Sequence, residues 1–245
     1  VGDKVIFVDR AGAWAEEVTC PASSALKIPD DTPVEQAAML KVNPLTAWAM
    51  LTHYRALPEN SWVIQNAANS GVGLCVIQTA KLLGLRTINL VRREELIPKL
   101  EKLGGDLVLL DNSDSIEHIK SITGGAAPAL ALNAVGGDSA LRLMDALAPE
   151  GIHVTYGAMS MRSLKVPNKF LIFKRIQLHG FWCTEWMKGK SSDEIAHVYQ
   201  KLAQWVITGN LDQAIDSRFS LTEINTAITR AQEGKRNGKV LLTMG

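Results

Sequence analysis

The sequence predicts an α/β fold built on a doubly wound parallel sheet, with strand-rich segments at either end. Three observations carry this. Apolar runs of five to seven residues alternate with helix-like stretches of about ten. The runs are apolar almost throughout, which suits strands covered on both faces rather than a sheet with one wet side. The first run leads into a turn of small residues and then an amphipathic helix, the order of parts in a nucleotide-binding β-turn-α unit.

Taken in chain order, residues 1 to about 42 read as strands and loops. "DKVIFVD" and "WAEEVTC" are the strand-like pieces, and prolines stand at 21, 29 and 33. A helix-like "PLTAWAML" follows. Strands are then expected at "WVIQNA" (62–67), "RTINLV" (86–91), "DLVLL" (106–110), "ALALNAV" (129–135) and "IHVTYG" (152–157). Helices are expected between them at 71–83, about 94–103, 114–122 and 138–147. Such alternation predicts parallel strands joined by right-handed crossovers. Asp138 suits an N-cap, and Gly84 and Gly104 suit left-handed C-caps. "RIQLHGFW" (175–182) reads as a sixth strand, at the sheet's edge. Beyond it, Ser191 with Glu194 forms a capping box. Ile195, Val198, Tyr199, Leu202, Trp205 and Val206 then share one helical face. A short amphipathic helix, "LTEINTAITRAQEG", and a strand, "KVLLTM", close the chain.

Bulk composition narrows the function. The 245 residues are 47% hydrophobic with a net charge of +1, so neither disorder nor a nucleic-acid partner is expected. No apolar run approaches the roughly 20 residues of a membrane helix. Cys20, Cys75 and Cys183 are far apart and form no C-x-x-C pair, against a disulfide framework or a cysteine-rich metal site. The five histidines show no paired spacing. The chain opens on Val1 in what reads as mid-strand, without a leader, and reads as a fragment whose targeting is not legible.

The turn after the first long strand is "NAANSGVG". Ala67, Ser70 and Gly73 stand where a dinucleotide loop carries glycines, with Gly71 beside them. Small residues let backbone N–H groups approach a pyrophosphate. Ala67 serves in place of glycine if the turn does not need positive φ, and the Ser70 hydroxyl can bond a phosphate. A strand-turn-helix that binds nothing has the same local pattern; the run of βα units around it favours a dinucleotide. NAD enzymes place an acidic residue about 20 positions past the glycines. Here Arg92 stands nineteen past Gly73, followed by Arg93. Guanidinium groups grip a 2′-phosphate that a carboxylate would repel, so NADPH is the expected cofactor. Two arginines on a solvated loop are the alternative.

These residues resemble a known family. "VNPLTAWAML", "VIQNAANSGVGLCVIQTAKLLGLRTINLVRR", "LALNAVGGDSA", "VTYGAM" and "FKRIQLHGFW" look like the mitochondrial trans-2-enoyl-CoA/enoyl-[acyl-carrier-protein] reductases. These are zinc-free, NADPH-dependent members of the medium-chain dehydrogenase/reductase superfamily. The resemblance implies a Rossmann domain at 43–182 inserted in a GroES-like barrel domain. Residues 1–42 and 183–245 would be what this chain holds of that barrel, which is N-terminally truncated. At the cofactor the resemblance places Asn43, Asn69, Ser70, Gly71, Val72, Arg92, Arg93, Tyr156, Gly157, Ala158, Met159, Phe181, Trp182, Cys183 and Lys239. Phe181 and Trp182 otherwise read as core or interface aromatics, and Lys239 as a surface lysine. The resemblance puts the proton-donating tyrosine upstream of Val1, leaving no catalytic residue in this chain and its turnover in doubt. It gives no metal: "IFVDRAGAWAEE" lacks a cysteine lobe, and Val42 and Asn43 stand where a zinc-binding cysteine would fall. The implied reaction is reduction of 2-enoyl thioesters of acyl-carrier protein or coenzyme A in mitochondrial fatty acid synthesis, by a homodimer off the membrane. An NADPH quinone oxidoreductase, or an NADPH-binding protein without turnover, are the alternatives.

Overall fold

A computed structural model describes residues 1–234 and 236–244. The chain forms two compact units, 46–187 and a discontinuous one made of 1–45 with the residues from 188 onward.

The discontinuous unit opens with β1 (Val5–Phe7) and β2 (Ala25–Lys27), an antiparallel pair. "WAEEVTC" forms no strand; its residues are bends and irregular loop. Next come α1 (Val34–Leu40) and α2 (Asn43–His53), which runs on into residues of the other unit. In that unit follow β3 (Trp62–Gln65), α3 (Gly71–Leu82), β4 (Arg86–Val91), α4 (Ile97–Leu103), β5 (Leu107–Leu110) and α5 (Ser115–Ile122). Then come β6 (Leu130–Asn133), α6 (Gly137–Ala146), β7 (Ile152–Thr155), α7 (Asn168–Ile172), β8 (Gln177–Gly180) and α8 (Cys183–Lys188). The discontinuous unit resumes with α9 (Ser192–Ile207), β9 (Ile215–Ser220), α10 (Ile224–Gln232) and β10 (Lys239–Thr243). β9 and β10 pair in parallel.

The six strands β3 to β8 make one parallel sheet in the order β5-β4-β3-β6-β7-β8, a Rossmann arrangement. Its inner strands are buried on both faces, as their unbroken apolar character requires. On one side Trp62, Ile64, Ile88, Leu90, Leu143 and Phe170 share a core; on another Ala68, Ile77, Val91, Leu100 and Val108 do. β8 is one edge and β5 the other, and all four residues of β8 are exposed. Phe181 and Trp182 lie just past it, not within it.

Two local expectations change. α6 is capped by Gly136, not by Asp138, which sits inside the first turn where its charge faces the helix dipole. Ala67 has φ of +46°, so the loop does take the left-handed conformation that alanine was expected to avoid. Gly104 and Gly84 have φ of +109° and +69° and close α4 and α3 as expected.

Candidate functional site

The crossovers diverge at β3. β4 and β5 lie to one side of it, and β6, β7 and β8 to the other. In an open α/β sheet, the crevice past the carboxyl ends of the strands at this switch point is where ligands bind.

The loop after β3 is built for close approach. The Ser70 N–H donates to the Ala67 carbonyl at 2.8 Å. The Ser70 hydroxyl caps α3 by accepting the Gly73 N–H at 3.1 Å. Such a cap contributes about 1 kcal/mol. The amides of Gly71 and Val72 precede the first helical bond, so they carry the positive end of the helix dipole into the loop. A Cβ on Gly73 would fall 2.5 Å from the Ala68 carbonyl oxygen, so only glycine lets α3 pack this closely on the turn. Asn69 is exposed.

Residues 156–160 run along the turn that follows β6. Tyr156 and Met159 donate their N–H groups to the carbonyls of Asn133 and Ala134, at 3.0 and 2.9 Å. A Cβ on Gly157 would meet the Ala134 oxygen at 3.1 Å. The Tyr156 hydroxyl is buried and makes no hydrogen bond of good geometry. Burial pushes its phenol up to about 12, and the nearby Ser70 hydroxyl draws it back in part. The Tyr156 hydroxyl thus sits buried beside the Ser70 cap, with its bonding capacity not fully used. Ala158 and Met159 are exposed.

Arg92 and Arg93 follow β4 directly. Arg92 is exposed, and Arg93 pairs with Glu95 at 3.3 Å. Phe181 is buried and extends the ladder past β8, its N–H donating to Thr155 at 2.9 Å. Trp182 is exposed, and half-buried Cys183 begins α8. Thus Asn69 to Val72, Tyr156 to Met159, both arginines and the Phe181–Cys183 segment all lie at the carboxyl edge of one sheet. Asn43 and Lys239 belong to the discontinuous unit. Both line a cavity of about 890 Å³ there, and the Asn43 amide donates to Gln213 at 3.2 Å.

One group of residues escapes the sequence reading. Asn66 Nδ2 donates to Asn133 Oδ1 and to Ser139 Oγ, both at 2.8 Å, and Asn66 Oδ1 accepts the Ala134 N–H at 2.8 Å. Asn133 Oδ1 also accepts from the Val135 and Gly136 amides, and its Nδ2 donates to Thr155 at 3.2 Å. Ser139 donates to Asp111 at 2.5 Å, and Asp111 holds Arg142 at 2.7 Å. In the sequence Asn66 comes directly after β3 and Asn133 is the last residue of β6, but nothing local marks the two as partners.

The capped, glycine-packed turn and its open amides together fit the phosphates of a dinucleotide. Among the described residues, no group of three or more His, Cys, Asp or Glu side chains is placed to hold a metal ion.

Comparison with known proteins gives the family. The family model described as zinc-binding dehydrogenase matches residues 71–205. The chain is 37% identical over 249 residues to the mitochondrial enoyl-[acyl-carrier-protein] reductase of Rattus norvegicus, covering 99% of this chain and 67% of that protein. A putative NADPH:quinone reductase from Bacillus thuringiensis superposes with a TM-score of 0.90 at 25% identity, over 98% of this chain and 73% of that one. A mutant form of the enoyl thioester reductase from Candida tropicalis superposes with a TM-score of 0.81 at 28% identity, over 91% and 68%. The complex of Etr1p with NADP and crotonyl-CoA superposes with a TM-score of 0.78 at 30% identity, over 86% and 62%. The chain belongs to the enoyl-[acyl-carrier-protein] reductases within the zinc-binding dehydrogenase family.

Proposed function

We propose that the chain binds NADPH for the reduction of trans-2-enoyl thioesters, with its own turnover expected to be poor because its assigned site residues include no proton donor. The observation that carries this is the α3 N-terminus, with Ser70 capping, Gly73 packed on the turn and two arginines closing the next strand. It is joined to membership of the enoyl reductases. Bound NADPH would supply the hydride that the β-carbon receives, while the α-carbon takes a proton from water or from an acid other than the assigned cofactor residues. The protein's part is to bind and orient. Ser70, Gly71 and Val72 take the pyrophosphate, and Asn69 lies beside them. Arg92 and Arg93 take the 2′-phosphate, with Arg93 exchanging Glu95 for it. Tyr156 to Met159, Phe181, Trp182 and Cys183 flank the nicotinamide half, and Tyr156 serves there as a neutral phenol, held so by burial. Asn43 and Lys239 are read as cofactor residues from the family pattern. Residues 1–42 and 183–245 are read as parts of a GroES-like domain around a Rossmann domain at 43–182.

The substrate is carried by acyl-carrier protein or coenzyme A. The reaction belongs to fatty acid synthesis, in the mitochondrion where relatives are named, and the working form is a homodimer.

Turnover of crotonyl-CoA with NADPH tests the reaction; oxidation of NADPH by quinones alone would overturn it. Arg92→Ala with Arg93→Ala tests the cofactor. Each charge-assisted bond is worth about 1.5–3 kcal/mol, so the NADPH Kd should rise about tenfold or more. The NADH Kd should change little, because NADH has no 2′-phosphate to lose. Equal loss for both cofactors would place the arginines elsewhere.

A further inference from the structure

We infer that Asn66 and Asn133 are positioning residues for NADPH, a latch that holds the phosphate loop and the turn after β6 in one fixed relation. The inference rests on the functional reading above.

Three observations support it. First, Asn66 immediately precedes Ala67, whose φ of +46° is costly for any residue with a Cβ. A strained turn persists only where its surroundings over-determine it. Asn66 makes three hydrogen bonds of 2.8 Å, all to residues at or beyond the end of β6. Second, both asparagines are fully buried, so water cannot replace a lost bond. Third, the latch reaches both halves of the site. Asn66 leads into the loop capped by Ser70. The Asn133 backbone carbonyl receives the Tyr156 N–H, and its side chain gathers the amides of Val135 and Gly136. Neither asparagine is among the residues assigned to touch the cofactor. Their effect passes through the backbone on either side of the switch point.

The test is NADPH titration of the purified chain, followed by cofactor fluorescence, with melting temperature measured alongside. Asn133→Leu keeps the approximate volume and removes every bond of the amide. Its Kd should rise about tenfold, the expected loss for buried hydrogen bonds left unmade. Asn133→Asp keeps an acceptor for Asn66, Val135 and Gly136, so its Kd should return to within about threefold of the parent's. Ile119→Ala, a core truncation in α5, should lower the melting temperature yet leave the Kd within about twofold, because it lies outside the network. A folded Asn133→Leu protein that binds NADPH as tightly as the parent overturns the inference. So does an Asn133→Asp protein as weak as Asn133→Leu. If Asn133→Leu does not fold, Ser139→Ala replaces it. That change removes one acceptor from Asn66 and should raise the Kd about threefold; an unchanged Kd would overturn the latch. A parent chain that does not bind NADPH at all overturns the functional reading itself, and the latch with it.

Discussion

His153 shows how much one buried side chain can govern. It sits in β7, fully buried, with both ring nitrogens lacking a hydrogen-bond partner. Burial lowers its imidazole from 6.5 to about 4. The native state therefore keeps the ring neutral over a range where the unfolded chain takes up a proton. Stability is whole above about pH 6.5, falls as pH drops from there, and stops falling near pH 4. The span corresponds to about 3 kcal/mol. Urea melts at pH 7.5 and pH 5 should show about 2 kcal/mol of this loss, and His153→Leu should flatten it. A pH slope that survives the substitution would belong to other groups.

Elements differ in how openly the sequence declares them. β3 to β7 and the helices between them were legible because the strands are mostly buried, the inner ones on both faces, and alternate with helix-length segments. β9 (Ile215–Ser220) was not, since "IDSRFS" mixes charge into a half-exposed strand whose pairing comes from β10, far along the chain. α1 was hidden behind Pro33, which stands at its N-cap. At the site, the loop and the arginines could be read from spacing. The Asn66–Asn133 latch could not, because a buried hydrogen bond depends on two residues that only the sheet brings together. Capping chemistry is local, and it was read correctly at α9 but not at α6, where Gly136 rather than Asp138 is the cap. Ser191 and Glu194 form the reciprocal box at the start of α9. The Ser191 backbone N–H, the Lys190 amine and the Ser191 hydroxyl pull the Glu194 carboxyl down to about 2. Ser191→Ala should cost about 1 kcal/mol in a denaturant melt. No change in the midpoint would mean that α9 is held by its packed face alone.

For the assembled protein, the exposed edge decides. β8 presents Leu178 at 38% exposure, and near it in the chain Ile172 and Phe173 are exposed at 64% and 79%. The Tyr54 hydroxyl donates to the Gly180 carbonyl at 2.9 Å, which guards only the end of the strand. An uncovered strand edge invites aggregation unless it is paired, and a twofold partner would pair it with itself. Sedimentation velocity at micromolar concentration should therefore find a dimer. Leu178→Lys, which sets two like charges against each other across the twofold, should shift it toward monomer. A parent chain that sediments as a monomer would refute the pairing.

The latch also sets a clock. Asn66 finds its side-chain partners 67 to 73 residues further along the chain. At about 5–20 residues per second, a ribosome needs roughly 3–15 s to make that stretch. Until then the phosphate loop has its own turn and cap bonds but not the bonds from Asn66. Cofactor capture during synthesis must wait for β6 and the start of α6, however early the loop itself is made.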